Sequence, residues 1–298
     1  MKLSFCWLGE EKSLELILIE LFLCSKNQLK LSLSKEARVK TIFSKKEIQI
    51  PLDLANHRQI NPVYTGERVD VLFENEDYLA IHKPPFIHSH PLKYSDTNTA
   101  INSLVGLKKW QVLEVNQKNY DRGLLYRLDF ETSGVLLLAK KQFLYDQVRA
   151  NFRSLMKEKF YLAIVQGDFH LDGRHLHFLR SNYSKQVCSD VEVSEGQEAN
   201  LDVKKIMAHE GHSLLLIRLH EGHRHQIRAQ LSFLGFPILG DELYGGEKSS
   251  RLFLHAFEYR GEVTVRDEKA ELFELFFDLN RAFKMIHDMS GVIDRREF

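Results

Sequence analysis

The sequence predicts an α+β fold, because it contains both antiparallel hairpins and amphipathic helices. In one hairpin pattern an acidic turn separates the β-rich runs Val71–Phe73 and Tyr78–Ile81. In a second, the segment AHEGH separates Leu201–Met207 from Ser213–Leu219. The helix prediction rests on Gln142–Met156, where apolar side chains recur at helical spacing. Hairpins and helices in separate stretches are typical of α+β proteins.

The composition describes an ordinary soluble globular protein. The chain has 298 residues, 44% hydrophobic and 28% charged, which is enough for one large domain or for a small one and a larger one. Its formal net charge is zero, so it lacks the global basic signature of a nucleic-acid-binding protein, although a local patch would suffice. The three cysteines are far apart and show neither metal spacing nor a disulfide framework. We therefore expect a protein of the reducing cytoplasm.

The first sixty residues are predicted to be a small appendage. Ser13 to Cys24 reads SLELILIELFLC, which is too short to span a bilayer and is interrupted by Glu15 and Glu20. We interpret it as an amphipathic helix and expect no membrane association. Proline and glycine cluster in Asn61–Arg68, which indicates a boundary. The predicted division is a basic N-terminal region at 1–62 and a larger domain at 63–298.

The appendage carries a basic face. Its basic residues, interleaved with apolar ones, are Lys26, Lys30, Lys35, Arg38, Lys40, Lys45 and Lys46. Such a face is either a solvated surface or a patch that contacts phosphates and whose affinity falls steeply with salt.

The stretch from Gly123 to Lys140, GLLYRLDFETSGVLLLAK, places an acidic residue at the mouth of a buried strand. The aliphatic run Val135–Ala139 is bounded by a glycine turn and is predicted to be that strand. Asp129 and Thr132 precede it. Local chemistry leaves two interpretations open, since Asp and Thr commonly form turns and a carboxylate at such a position also suits catalysis.

This stretch resembles the signature H-R-L-D-x-x-T-S-G of the RluA-type pseudouridine synthases. The matching residues, in order, are Arg127, Leu128, Asp129, Thr132, Ser133 and Gly134. Tyr126 stands where the family usually has histidine. The resemblance implies that Asp129 is the catalytic residue and that Arg127 and Thr132 contact the substrate.

Two further blocks carry the resemblance. Residues 71–85 resemble the family's opening strand, acidic turn and strand ending in K-P, which here is Lys83-Pro84. The segment KFYLAIVQG, Lys159 to Gly167, is similar to the family's K-x-Y-x-A-x-V-x-G strand. The matching tyrosine, Tyr161, is implied to stack on the target base. From the strand pattern alone, Tyr161 could equally be a core aromatic residue of a strand with alternating faces.

The segment from Leu219 to Gly246 resembles the family motif G-R-T-H-Q-I-R and its continuation G-x-P-I-x-G-D-x-L-Y-G. The residues that match the first motif are Gly222, His225, Gln226, Ile227 and Arg228, whereas His223 and Arg224 replace its Arg-Thr. The resemblance implies that Arg228 pairs with Asp129 and that His225, Gln226 and Ile227 belong to the substrate site. Arg251 to Phe257 resembles the family's R-x-x-L-H-A strand. Ile227–Leu234 is predicted to be helical, which would aim Arg228 from near a helix start.

The resemblance covers Val71 to Phe257. It implies a mixed, mostly antiparallel central sheet flanked by helices, and an enzyme that isomerises a specific uridine in structured ribosomal or transfer RNA. It further implies base flipping, RNA as the partner, and neither a metal nor an organic cofactor; we expect a monomer. A faint likeness of the first sixty residues to the S4 RNA-binding module suggests a degenerate version of it.

The chemistry requires one ionised carboxylate, whether it attacks the ribose, attacks the base or removes a proton. Burial disfavours the ionised form and a paired guanidinium such as that of Arg228 favours it. The ionised state of Asp129 is therefore expected to depend on Arg228. Arg127 would contact a phosphate or fill the gap that the extruded base leaves, or else form a surface salt bridge.

Two alternatives remain. The changes at Tyr126 and at His223–Arg224 allow an RNA-binding protein that has kept the fold and lost catalysis. Asp129 with Glu131 allows a glycosidase-like carboxylate pair, although two acids two residues apart are expected to diverge.

His82, His88 and His90 lack a carboxylate or cysteine at ligand spacing, so no metal site is expected there. Helices are predicted at Thr97–Leu107, capped by Asp96 or Thr97, and at Leu279–Met289.

Overall fold

In this computed structural model the described residues are 2–56, 58–151, 155, 158–182, 185–190, 196–261, 263–268 and 286. They belong to two compact units, one formed by Met1–Gly66 with His90–Arg122 and the other by Glu67–Ser89 with Gly123–Phe298. The first unit thus combines the N-terminal residues with a later segment that was predicted to belong to the larger domain at 63–298. The helix predicted at 279–289 lies outside the described residues except for position 286.

The first unit contains short strands and helices. Its strands are Lys2–Trp7 (β1), Lys12–Ser13 (β2), Thr41–Ile42 (β3) and Lys46–Pro51 (β4). Its helices are Leu14–Phe22 (α1), Lys26–Ser32 (α2), Lys35–Val39 (α3), Leu52–Ala55 (α4), Ala100–Gly106 (α5) and Trp110–Glu114 (α6). Strand β1 pairs antiparallel with β4, and β2 with β3.

Helix α1 confirms the amphipathic helix predicted in this unit. It begins after Ser13, whose hydroxyl accepts a hydrogen bond from the Leu16 amide, so an orphan donor of the first turn is satisfied. Ile17 and Leu18 are fully buried and pack in a core cluster with Trp7 and Leu29. No helix among the described residues is long and apolar enough to cross a membrane.

The predicted cap of helix α5 was wrong. The helix begins after Thr99, whose hydroxyl accepts from the Asn102 amide. Asp96 does not cap it, because its carboxylate accepts hydrogen bonds from the backbone of Leu92 and Lys93 and so closes the preceding turn. Thr97 is bonded through its hydroxyl to another threonine hydroxyl.

The second unit is built on a ten-stranded sheet. Its strands are Asp70–Glu74 (β5), Tyr78–Lys83 (β6), Ser133–Ala139 (β7), Glu158–Gln166 (β8), Gly173–Asn182 (β9), Lys185–Ser189 (β10), Gln197–His209 (β11), His212–Leu219 (β12), Leu254–Arg260 (β13) and Thr264–Arg266 (β14). Its helices are Gln142–Ala150 (α7) and Gln226–Phe233 (α8), with a 3-10 turn at Glu242–Tyr244.

The strand order is β10-β9-β11-β12-β8-β13-β7-β6-β5, with β14 paired to β13. Every pairing along it is antiparallel except β13 with β7, which is parallel. The prediction of an α+β fold with a mixed, mostly antiparallel sheet is confirmed. The two predicted hairpins are β5–β6 and β11–β12.

Strand β7 lies between β13 and β6 in the sheet and sets the position of the loop before it. All of its residues are buried, as the aliphatic run predicted. Gly134 has φ +116°, and a Cβ there would lie 2.2 Å from the carbonyl oxygen of Ala256 in β13. Only glycine permits both the dihedral and this approach. The close packing of Gly134 against β13 therefore fixes the position of the loop residues that precede it.

Candidate active site

Asp129 lies in the loop that leads into β7, and this loop is tied down on both sides. The Ser89 hydroxyl donates to the Leu128 carbonyl at 2.9 Å and accepts from the Leu128 amide at 3.0 Å. The Thr132 amide donates to the Asp129 carbonyl at 3.2 Å, which closes a turn. Leu128 is buried, whereas the Asp129 side chain is 30% exposed. The carboxylate thus reaches solvent from a loop whose backbone is held by the core.

A buried lysine also binds the backbone of this loop. The Lys83 ammonium is fully buried and donates to the carbonyls of Pro84, Ile87 and Phe130 at 2.9, 2.9 and 3.3 Å. All three of its protons are therefore used. Burial lowers the pKa of Lys83 to about 7, although the negative charge of Asp129 opposes the shift.

This lowered pKa predicts a pH-dependent stability. Unfolding returns Lys83 to an ordinary pKa near 10.5, so between about pH 7 and pH 10 the unfolded chain binds more protons than the folded chain. The contribution of Lys83 to stability should therefore rise with pH across that window. A Lys83→Met protein lacks this pH dependence. The free energy of unfolding of wild type, relative to that of the variant, should therefore rise by up to about 1.4 kcal/mol per pH unit. Urea unfolding of both proteins at pH 6, 8 and 10 measures the difference; a constant difference contradicts the prediction.

Arg228 reaches the site from the first turn of α8, and its shortest contacts are with Asp241. Its Nε and Nη2 donate to the two oxygens of that carboxylate, both at 2.7 Å, and both side chains are buried. Its remaining nitrogen, Nη1, lies 3.9 Å from Asp129 Oδ2 and 3.5 Å from Glu131 Oε2. The expected pairing of Arg228 with Asp129 is thus a looser contact, because the bidentate bond to Asp241 fixes the guanidinium first.

Glu131 does not diverge from Asp129, so that expectation was wrong. The turn between Asp129 and Thr132 brings both carboxylates to the same nitrogen of Arg228. The side chain of Glu131 is 39% exposed, whereas Asp129 is less so. The site therefore contains two acids facing one cation, which itself rests on a third, buried acid.

The electrostatics favour a cationic Arg228 and a neutral His225. Burial lowers the pKa of Arg228, but the bonds to Asp241 and the charges of Glu131 and Asp129 outweigh it and raise the pKa above its usual value. Burial also lowers the pKa of His225, against the opposing effect of Asp129. The Nε2 atom of His225 lies 3.8 Å from Asp129 Oδ2, and its Nδ1 lies 3.1 Å from the Tyr244 hydroxyl.

Tyr161 belongs to a cluster of three buried tyrosines. It lies on β8, and its hydroxyl is 2.8 Å from that of Tyr259 on β13. The Tyr259 ring stacks on Tyr126, with centroids 4.3 Å apart and planes 12° apart. Burial raises the pKa of Tyr161 to about 12 and raises the pKa values of Tyr126 and Tyr259 well above their usual value, so all three are neutral phenols. Tyr126, the departure from the family motif, thus packs under Tyr259 and donates to the Val135 carbonyl.

The other predicted substrate contacts occupy different environments. Thr132 and Ile227 are buried, and Arg127 is exposed. Gln226 is buried as well: its amide oxygen accepts from the amides of Gly222 and His223, so it holds the turn that leads into α8.

The predicted RNA-binding residues 26–46 lie in the first unit. Six of the seven are exposed, namely Lys26, Lys30, Lys35, Lys40, Lys45 and Lys46. Arg38 is partly buried and forms an ion pair with Glu15 at 3.1 Å. The lysines therefore present an accessible positive surface.

The sequence alone predicted no role for Asp241 or Tyr259, and it predicted one for Glu131 only in the glycosidase-like alternative. Asp241 stood in a matched motif, but only the fold brings it to Arg228. Tyr259 had no signal, because its partner hydroxyl lies 98 residues away in the chain. Across the described part of the chain, no group of three or more His, Cys, Asp or Glu side chains is arranged to hold a metal ion.

Comparison with known protein families gives a match over residues 77–233, to the family described as RNA pseudouridylate synthase. The chain is 29% identical over 241 residues to the ribosomal large subunit pseudouridine synthase D of Borreliella burgdorferi, covering 79% of this chain and 72% of that one. It is 34% identical over 193 residues to a protein of Helicobacter pylori named as an uncharacterized RNA pseudouridine synthase, covering 64% of this chain and 70% of that one.

Solved structures show the same fold. Human RNA pseudouridylate synthase domain containing 1 superposes with a TM-score of 0.55 at 20% identity, covering 74% of this chain and 95% of that one. Human RNA pseudouridylate synthase domain containing 4 superposes with a TM-score of 0.52 at 20% identity, covering 73% of this chain and 92% of that one.

Proposed function

Since the chain belongs to the RNA pseudouridylate synthase family and is an RNA pseudouridine synthase, we propose that it isomerises a specific uridine in structured ribosomal or transfer RNA, with Asp129 as the essential carboxylate. In this reaction the N1–C1′ bond breaks, the base turns, C5 bonds to C1′, and the proton on C5 is replaced by one on N1. The reaction is an isomerisation, so it consumes no co-reactant.

The observation that carries the proposal is the setting of Asp129. Its carboxylate is exposed enough to meet a substrate, whereas the backbone on both sides is held by Ser89 and Lys83. The cation that faces it, Arg228, is itself locked by Asp241. A preorganised carboxylate beside a fixed guanidinium is what charge development at a glycosidic carbon requires.

Tyr161 supports base flipping. A uridine taken out of its stack loses aromatic contacts, and we assign the ring of Tyr161 to replace them. The Tyr259 hydroxyl is hydrogen-bonded to that of Tyr161, and the Tyr259 ring is in turn held by stacking on Tyr126. We assign Arg127, which is exposed two residues before Asp129, to a phosphate or to the gap in the RNA stack. We assign His225, which faces Asp129, to the substrate site, and Thr132, Gln226 and Ile227 to its supporting wall.

Several relatives are named for the large ribosomal subunit, which favours ribosomal RNA as the substrate. We propose that the lysines of the N-terminal region, Lys26 to Lys46, contact its phosphates, as a degenerate S4-like module would. The enzyme would act as a monomer without a metal or organic cofactor. Its free cysteines suit the cytoplasm, where we propose that it works.

The test is pseudouridine mapping of total RNA from cells with and without the gene. One or a few sites should disappear in the deletion, return with the wild-type gene, and stay absent with an Asp129→Asn gene. Those sites name the substrate. A map that does not change would refute the assignment of the reaction to these RNAs, and release of free uracil would favour a hydrolase that uses Asp129 and Glu131.

A further inference from the structure

An exposed aromatic cluster lies next to Asp129. Phe130, the following residue, is 38% exposed, and Phe86 is 44% exposed. Their ring centroids are 6.0 Å apart at an interplanar angle of 63°, and the exposed ring of His88 lies 4.7 Å from Phe130. We propose that Phe86, His88 and Phe130 form a stacking platform for an unpaired RNA base beside the target uridine.

The two segments that carry these rings are clamped together by buried groups. Lys83 donates to the carbonyls of Ile87 and Phe130, and the Phe86 amide donates to the Phe130 carbonyl at 2.8 Å. Ser89 bonds both backbone atoms of Leu128. Ile87 and Ser89 are buried, whereas Phe86 and His88 are exposed. Three aromatic rings are thus presented on a rigid base.

Phe86 adopts a backbone conformation that its side chain does not favour. Its φ is +64°, in the left-handed region that bulky residues rarely occupy. Core packing does not account for a phenylalanine there, because the ring is exposed. Strained residues held by their surroundings are often found where a ligand binds. A ring kept in this position is expected to contact something outside the chain.

The ligand of this platform can be inferred because the platform adjoins the Asp129 site. Phe130 is covalently joined to Asp129, so whatever covers its ring lies beside the flipped uridine. Unpaired bases in RNA loops stack on Phe, Tyr and His rings, and they do so with little regard to sequence. Arg127, exposed on the same loop, adds positive charge for the adjoining phosphates. The neighbour of the target in a single-stranded loop therefore matches both the shape and the chemistry.

This inference rests on the proposed function for its ligand, and a binding experiment separates the two. The probe is an RNA hairpin whose loop carries a uridine flanked by 2-aminopurine, a base whose fluorescence is quenched when it stacks. It is titrated with the full-length Asp129→Asn protein, in which turnover is blocked. The variants are Phe130→Ala and Phe86→Gly. The control is Phe143→Ala, which removes a ring that is 62% exposed on α7.

We expect Phe130→Ala to bind the hairpin about tenfold more weakly and to lose the quenching, because stacking of one base on one aromatic ring has an effect of this size. Phe86→Gly should weaken binding in the same way while its melting temperature stays level or rises, since glycine accepts a positive φ. Phe143→Ala should match the parent. A fully paired RNA duplex should bind equally well to all of these proteins.

Unchanged affinity and unchanged quenching in both variants would overturn the platform. The platform would also be overturned if the variants bound the hairpin as the parent does but no longer bound a protein that the parent binds. The cluster would then be a protein-docking surface. If quenching depends on Phe130 while the mapping experiment finds no site, the platform stands and the proposed reaction fails. The reverse pattern removes the platform and leaves the reaction intact.

Discussion

An Asp129→Asn protein is expected to form pseudouridine at least about 10³-fold more slowly than wild type, because an amide neither attacks as a nucleophile nor accepts a proton. Asn keeps the volume of Asp, and the loop backbone is held by Ser89 and Lys83, so the fold should persist. Single-turnover kinetics on the RNA named by the mapping experiment measure the loss. An unchanged melting temperature assigns that loss to chemistry.

Glu131→Gln is the matched control, because Glu131 faces the same nitrogen of Arg228 at 3.5 Å. Its side chain is 39% exposed, and a pair of this exposure is weakly coupled, so the rate should fall by less than about fivefold. Equal losses in the two variants would mean that the acids act as a pair. The hydrolase alternative would then regain support, and the assignment of a single essential carboxylate to Asp129 would be wrong.

The second large effect concerns Asp241, which is fully buried against Arg228. Asp241→Asn leaves a buried guanidinium without its bidentate partner, and breaking a buried pair in this way costs about 3–5 kcal/mol of unfolding free energy. Activity should fall with it, since Arg228 loses the contact that aims it at Asp129. Urea unfolding measures the first effect, and kinetics below the transition measure the second.

A double variant separates charge from packing. Arg228→Met with Asp241→Leu removes both charges and keeps an apolar fill, so it should recover most of the stability lost by Asp241→Asn. It should not recover activity, because the cation beside Asp129 is gone. A stable but equally inactive double variant supports the role of Arg228. Recovery of activity in the absence of Arg228 would contradict that role.

Local patterns predicted much of this architecture. Period-two runs predicted both hairpins, and the aliphatic run before Lys140 predicted β7 as a buried strand. The start of α8 also followed from local periodicity, and so did the placing of Arg228 in its first turn. Side-chain period is a property of neighbouring residues, and for that reason a single sequence can reveal it.

Errors occurred where a contact outside the predicted pattern competed with a local preference. Asp96 is a good capping residue by type, but its carboxylate is committed to the preceding turn. Glu131 was expected to diverge from Asp129, two residues before it, whereas the turn at Thr132 brings both acids to the same nitrogen of Arg228. In each case a tertiary or turn contact outweighed a local preference.

The sequence by itself determined the fold class and the family, and it singled out Asp129, Tyr161 and Arg228 as candidate site residues, because ordered motifs along one chain carry that information. The tertiary structure alone decided how they are supported. Asp241 fixes Arg228, Tyr259 fixes Tyr161, and Lys83 fixes the loop that carries Asp129. Buried polar groups must find partners wherever the fold provides them, and those partners are set by strand order and packing rather than by distance along the chain.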